Sequence, residues 1–102
     1  MGVASVVLGV IAIGVAAAGD DVRARDLAAS CGVCHGTDGR AAAGFASLAG
    51  VNQAELVAKF LAFRSGERAA TVMHQHARGY TPAEIELIAG YFARQRPVET
   101  GQ

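Results

Sequence analysis

Both cysteines of this 102-residue chain fall within five consecutive positions, Cys31-Gly32-Val33-Cys34-His35, and this C-x-x-C-H pattern constrains the fold more than any other feature. Two thiols at this spacing can each add to one vinyl group of a haem, and the adjacent histidine is then held where its imidazole nitrogen meets the iron. The pattern is the attachment signature of a c-type haem. A bare C-x-x-C also serves as a redox disulfide, usually beside a strand and helix of a βαβ unit, which the alanine-rich surroundings do not suggest. A structural zinc site needs four ligands, and only His74 and His76, far along the chain, are further candidates. Cys31 and Cys34 are therefore the expected thioether attachment points, and His35 the expected proximal iron ligand.

Residues 1–18 contain no charged side chain, run apolar from Val3 to Val15 and end in Ala16, Ala17 and Ala18, small residues that suit secretory cleavage. The pattern predicts a signal peptide over 1–18, cut near Ala18 or Gly19, and a single domain over 19–102 exported to the periplasm. No Lys or Arg precedes Arg23, so the positively charged start of such a leader is missing. An uncleaved anchor is the rival reading, since about 18 apolar residues come close to spanning a bilayer. The many Ala and Gly residues favour cleavage, and the mature form is expected to have no membrane span. All nine basic and nine acidic residues follow the apolar run, so the domain is nearly neutral and shows no nucleic-acid footprint. A domain of this size gains little from an unaided core. The haem is expected to be structural as well as functional, and the apo chain poorly folded.

Asp20 to Ala29 reads as a short helix with acidic residues at its positive end, leading straight into the motif. Gly36-Thr37-Asp38-Gly39-Arg40 is a chain reversal. Ala41 to Val51, small and glycine-punctuated with only Phe45 and Leu48 bulky, reads as an irregular loop against a flat apolar surface. Asn52 and Glu55 form a capping pair that opens a helix from about Gln53 to Arg64, stopped by Ser65 and Gly66. Its apolar face is Leu56, Val57, Phe60, Leu61 and Phe63. Thr81, Pro82 and Glu84 start a last helix whose Ile85, Ile88, Ala89 and Phe92 share one side, with Leu87 and Tyr91 beside them, before Pro97 ends the pattern. The fold expected is all-α, three to four helices with long loops around one covalent haem.

Of two methionines, Met1 belongs to the leader, so Met73 is the one thioether of the mature chain. It lies in the stretch Glu67 to Tyr80, read as a loop able to bring its sulfur to the haem face opposite His35. Met73 is the expected distal iron ligand, and a methionine opposite histidine raises the reduction potential. The alternative for Met73 is core filling. His74 or His76 could replace it, titrate at the surface near neutral pH, or present two imidazoles to a second metal.

With Cys31-Gly-Val-Cys-His35-Gly-Thr-Asp-Gly39, and Thr71-Val-Met73 before a capped terminal helix, the chain resembles the class I cytochromes c. That resemblance implies that the first and last helices cross, placing Leu27 and Ala28 against Ile88, Tyr91 and Phe92. Phe63-Arg-Ser-Gly-Glu67, Gly79-Tyr80-Thr81 and Ala89-Gly-Tyr-Phe92 together resemble the haem subunits of flavocytochrome c sulfide dehydrogenases. In that family a flavoprotein subunit oxidises sulfide and its FAD passes electrons to the haem. The resemblance implies a heterodimer in which this chain holds one haem c, has no catalytic residues of its own, and delivers electrons to a downstream acceptor. Where the family commonly has glycine after the ligand methionine, this chain has His74.

Near-zero net charge favours a permanent partner over a diffusing carrier, which relies on charge for fast encounter. A free periplasmic electron shuttle is the alternative function. A haem sensor or enzyme with a displaceable sixth ligand is a further one, and a stable Met73 ligand argues against it.

Overall fold

The computed structural model describes residues 2–9 and 13–99, and every regular element among them is helical. Of the expected leader, residues 1 and 10–12 lie outside the described residues. The first helix, α1 (Ile13–Ala29), begins upstream of the expected Asp20, so Asp20 and Asp21 sit in its middle and its first turn holds no acidic residue. The reason is cooperative: nucleation is the costly step, and once residues 20–29 are helical the run Ala16–Ala18 extends the helix at the lowest cost per residue. The expected boundary at 18–19 thus falls inside α1. No helix among the described residues is long and apolar enough to cross a membrane.

After α1 come a single turn, α2 (Gly32–His35), and a 3-10 turn over Thr37–Gly39. The segment from Ala41 to Val51 has no regular structure, as its composition predicts. Helix α3 (Gln53–Ser65) opens with Asn52 Oδ1 accepting from the Glu55 amide at 3.2 Å. The Glu55 carboxylate does not reach back to the cap. It turns forward to Lys59 Nζ at 2.9 Å.

The expected loop between α3 and the last helix contains α4 (Met73–Arg78). Met-His-Gln-His-Ala-Arg holds no helix breaker, and Ala77, fully buried, seats the turn against α3. The last helix, α5 (Pro82–Ala93), carries a complete capping box: Thr81 Oγ1 accepts from the Glu84 amide at 3.2 Å, and Glu84 Oε1 accepts from the Thr81 amide at 2.9 Å.

Helices α1 and α3 both pack on α5. Ala28 of α1, Leu56 and Phe60 of α3, Ala77 of α4, and Ile85, Ile88, Ala89 and Phe92 of α5 form one buried cluster. Leu27 and Tyr91 border it. Alanines at 24 and 28, one turn apart on α1 and both buried, let that helix approach α5 closely.

Candidate haem site

Cys31 caps α2, and the motif continues α1 with hardly a break: the Cys31 amide bonds the Ala28 carbonyl at 3.0 Å, and the His35 amide bonds the Cys31 carbonyl at 2.9 Å. On such a turn residues three and four apart share a face. Cys34 and His35 stand at those offsets from Cys31, so both sulfurs and the imidazole are presented together. Val33, between the cysteines, is 90% exposed.

His35 is oriented by a backbone carbonyl. Its Nδ1 lies 2.7 Å from the Ala46 oxygen. A carbonyl can only accept, so Nδ1 bears the hydrogen and Nε2 keeps its lone pair for a metal. The loop that supplies this oxygen is built by the glycines after the motif. Gly36 caps α2 at φ +79°, where an added Cβ would lie 2.1 Å from the Arg40 carbonyl oxygen. Gly39, buried, also has φ +79°, and a Cβ there would meet the Phe92 ring at 2.7 Å. The Gly39 carbonyl accepts from Leu48 at 2.8 Å and Ala49 at 3.2 Å, and Ser47 Oγ accepts from the Ala41 amide at 3.1 Å. These bonds fold residues 46–49 back over the turn.

Met73, half-buried, opens α4 and packs on the border of the core cluster, as does Cys31. The segment leaving α4 is tied to the motif side: Tyr80 Oη lies 3.1 Å from Ser30 Oγ, the Tyr80 carbonyl accepts from Arg64 Nε at 3.2 Å, and its ring meets Phe60 edge-on at 6.2 Å. His74 is half-buried, and its Nδ1 is buried with no hydrogen-bond partner among the described residues. His76 is exposed. Two apart on a helix, they face different sides and do not converge on one ion. No group of three or more His, Cys, Asp or Glu side chains that could hold a metal occurs among the described residues.

Burial pushes the Cys31 thiol above its ordinary value, with the Ser30 hydroxyl pulling weakly the other way. Cys31 and Cys34 are both free thiols, Cys31 half-buried and Cys34 exposed. Two thiols and an imidazole with a free Nε2, on one face of one turn beside an apolar cluster, fit a covalent haem. A shallow groove lined by Asn52, Gln53, Ala54, Val57, Leu61 and Glu86 on α3 and α5 contains none of these groups.

Sequence reasoning named the two cysteines, His35 and Met73 but missed the Ala46 carbonyl, Asp38, and the Ser30–Tyr80 tie. No side-chain signal marks a backbone carbonyl in an alanine loop.

No protein-family model matches the chain. It is 43% identical over 70 residues to the "Cytochrome subunit of sulfide dehydrogenase" of Chlorobaculum tepidum, covering 69% of this chain and 64% of that protein. It is 34% identical over 64 residues to the cytochrome c-552 of Acidithiobacillus ferridurans, covering 63% of this chain but 28% of the relative. The chain thus spans less than two thirds of either. Cytochrome c-554(548) of Halomonas halodenitrificans is matched over nearly its whole length: 34% identity over 82 residues, 76% of this chain and 99% of the relative.

Proposed function

This chain belongs to the cytochrome c family, and we propose that within it the chain is the haem-bearing subunit of a sulfide-oxidising flavocytochrome. In this reading Cys31 and Cys34 hold one haem c, His35 is the proximal iron ligand and Met73 the distal one. A flavoprotein subunit carrying FAD oxidises sulfide and passes electrons singly to this chain in a periplasmic heterodimer. A downstream acceptor then receives them. The similarity to the sulfide dehydrogenase subunit supports the partner. The observation that carries the site is the 2.7 Å bond from His35 Nδ1 to the Ala46 carbonyl.

Bound haem iron supplies a reversible one-electron couple. The chain's own residues do the rest. The Ala46 carbonyl fixes the His35 tautomer and raises the basicity of Nε2. Cys31 and Cys34 would hold the group covalently through two thioether bonds. A thioether at Met73 favours the ferrous state relative to a second imidazole. The apolar cluster on which Cys31 and Met73 pack would give the group an apolar wall. No proton donor or acceptor is needed, because the bond-making chemistry on sulfide belongs to the partner.

A free periplasmic carrier is the second reading, favoured by the match to nearly the whole of a small cytochrome. The deciding experiment is a visible spectrum of the untagged protein purified from its own cells, before and after anaerobic sulfide. Flavin absorption accompanying the haem, with both reduced by sulfide, is the expected result. A c-type haem alone, reduced slowly, transfers the assignment to the free carrier. Native-state shifts with carbon monoxide or cyanide would instead indicate a ligand-binding haem.

A further inference from the structure

The turn after the haem-attachment motif contains a backbone outlier. Asp38 has φ +55°, the one non-glycine residue with positive φ among the described residues. That conformation is strained for an L-residue, and it persists where surrounding contacts over-determine it. Here α5 supplies them. Tyr91 Oη donates to Asp38 Oδ1 at 2.5 Å. Phe92, its neighbour, covers Gly39, and the two rings meet edge-to-face at 5.4 Å. The Asp38 bond, with some burial, holds the Tyr91 phenol above its ordinary value, so it remains a donor throughout the neutral range.

What hangs from this turn is the His35 bond. The Gly39 carbonyl carries the Leu48 and Ala49 amides, and the same segment presents the Ala46 oxygen to Nδ1. We propose that Asp38 and Tyr91 are positioning residues for His35: their hydrogen bond locks the left-handed turn to α5, and through Gly39 keeps the Ala46 carbonyl on the imidazole. The proposal rests on the haem reading above. Its consequence is electronic as well as mechanical. A carbonyl held on Nδ1–H makes the imidazole a stronger donor and favours ferric iron, so loosening the turn favours the ferrous state.

The test uses holo-protein carrying Tyr91→Phe, which keeps the ring and removes the donor. Two quantities are read: the ferrous/ferric ratio at fixed ambient potential, and solvent exchange of the His35 Nδ1 hydrogen followed by NMR in the ferrous state. Expected are faster exchange and a higher ferrous/ferric ratio than in wild type. Lower stability with exchange and ratio unchanged would overturn the proposal, leaving Tyr91 a packing brace. Asp38→Asn keeps an acceptor and tolerates the left-handed backbone, so it lies near wild type. A shift as large as that of Y91F would assign the effect to the carboxylate's charge and overturn the proposal. If Y91F does not fold, Asp38→Gly removes the acceptor without backbone strain and carries the same test. A wild-type chain with no haem retained after acid denaturation would overturn the haem reading and this proposal together, whereas failure of the proposal alone leaves covalent haem in place.

Discussion

At the scale of single residues, the chemistry lies in a few side chains whose roles are set by neighbours. Nε2 is the free nitrogen of His35 because the Ala46 carbonyl occupies Nδ1. Met73 owes its place to being the first residue of α4 on the border of the core. Met73→Ala is expected to abolish the weak sulfur-to-iron band at the red end of the ferric spectrum and to lower the potential. A surviving band would remove Met73 from the site. Gly39→Ala is expected to destabilise by about 2 kcal/mol, since overpacking against Phe92 adds to the strained backbone. Denaturant titration of the holo-protein measures this, and a change below about 0.5 kcal/mol would mean that the Phe92 ring moves aside freely.

At the scale of elements, caps decide where helices begin. Thr81→Ala removes one half of the α5 capping box and is expected to cost about 1 kcal/mol in the same titration. Glu84 supplies the other half. The Thr81 amide, then the Thr81 hydroxyl, hold its carboxyl below the ordinary 4.5. A depressed carboxylate stabilises the fold above its unfolded value, and that contribution disappears as pH falls through the lower, folded value. The thermal midpoint of wild type should therefore fall more steeply than that of Glu84→Gln as pH drops below 4.5. Parallel curves would remove the carboxylate from the cap. Gln retains the hydrogen-bonding role at this position, so the difference isolates the charge. The capping residues Asn52 and Thr81 were legible in the sequence because their chemistry is local. The start of α1 was not: Asp20 and Asp21 look like first-turn residues, but the alanines before them extend the helix at low cost. Helix α4 was missed because one and a half turns leave no periodic pattern, and burial of Ala77 against α3 decides it.

At the scale of the whole molecule, α5 organises everything else. It receives α1 and α3, and its Tyr91 and Phe92 hold the turn after the motif. Of the ion pairs between α1 and the α5 region, Arg94 with Asp21 at 3.5 Å is exposed and Arg23 with the half-buried Glu84 is long at 3.9 Å, so both contribute little. The buried cluster is small, and the bulky groups within it are Leu56, Phe60, Ile85, Ile88 and Phe92. Cys31→Ser with Cys34→Ser, which blocks attachment, is expected to leave a chain with reduced helicity and no fixed near-ultraviolet dichroism. Native dichroism in that variant would show that the protein core suffices. The sequence by itself determined the C-x-x-C-H motif, the all-helical character and the candidate ligands, because each depends on residue type at short spacing. Only the tertiary structure decided which nitrogen of His35 is free, what holds the turn after it, and how Tyr80 ties the Met73 side to Ser30. Those depend on a backbone carbonyl and on contacts between residues tens of positions apart, and neither leaves a mark in local sequence.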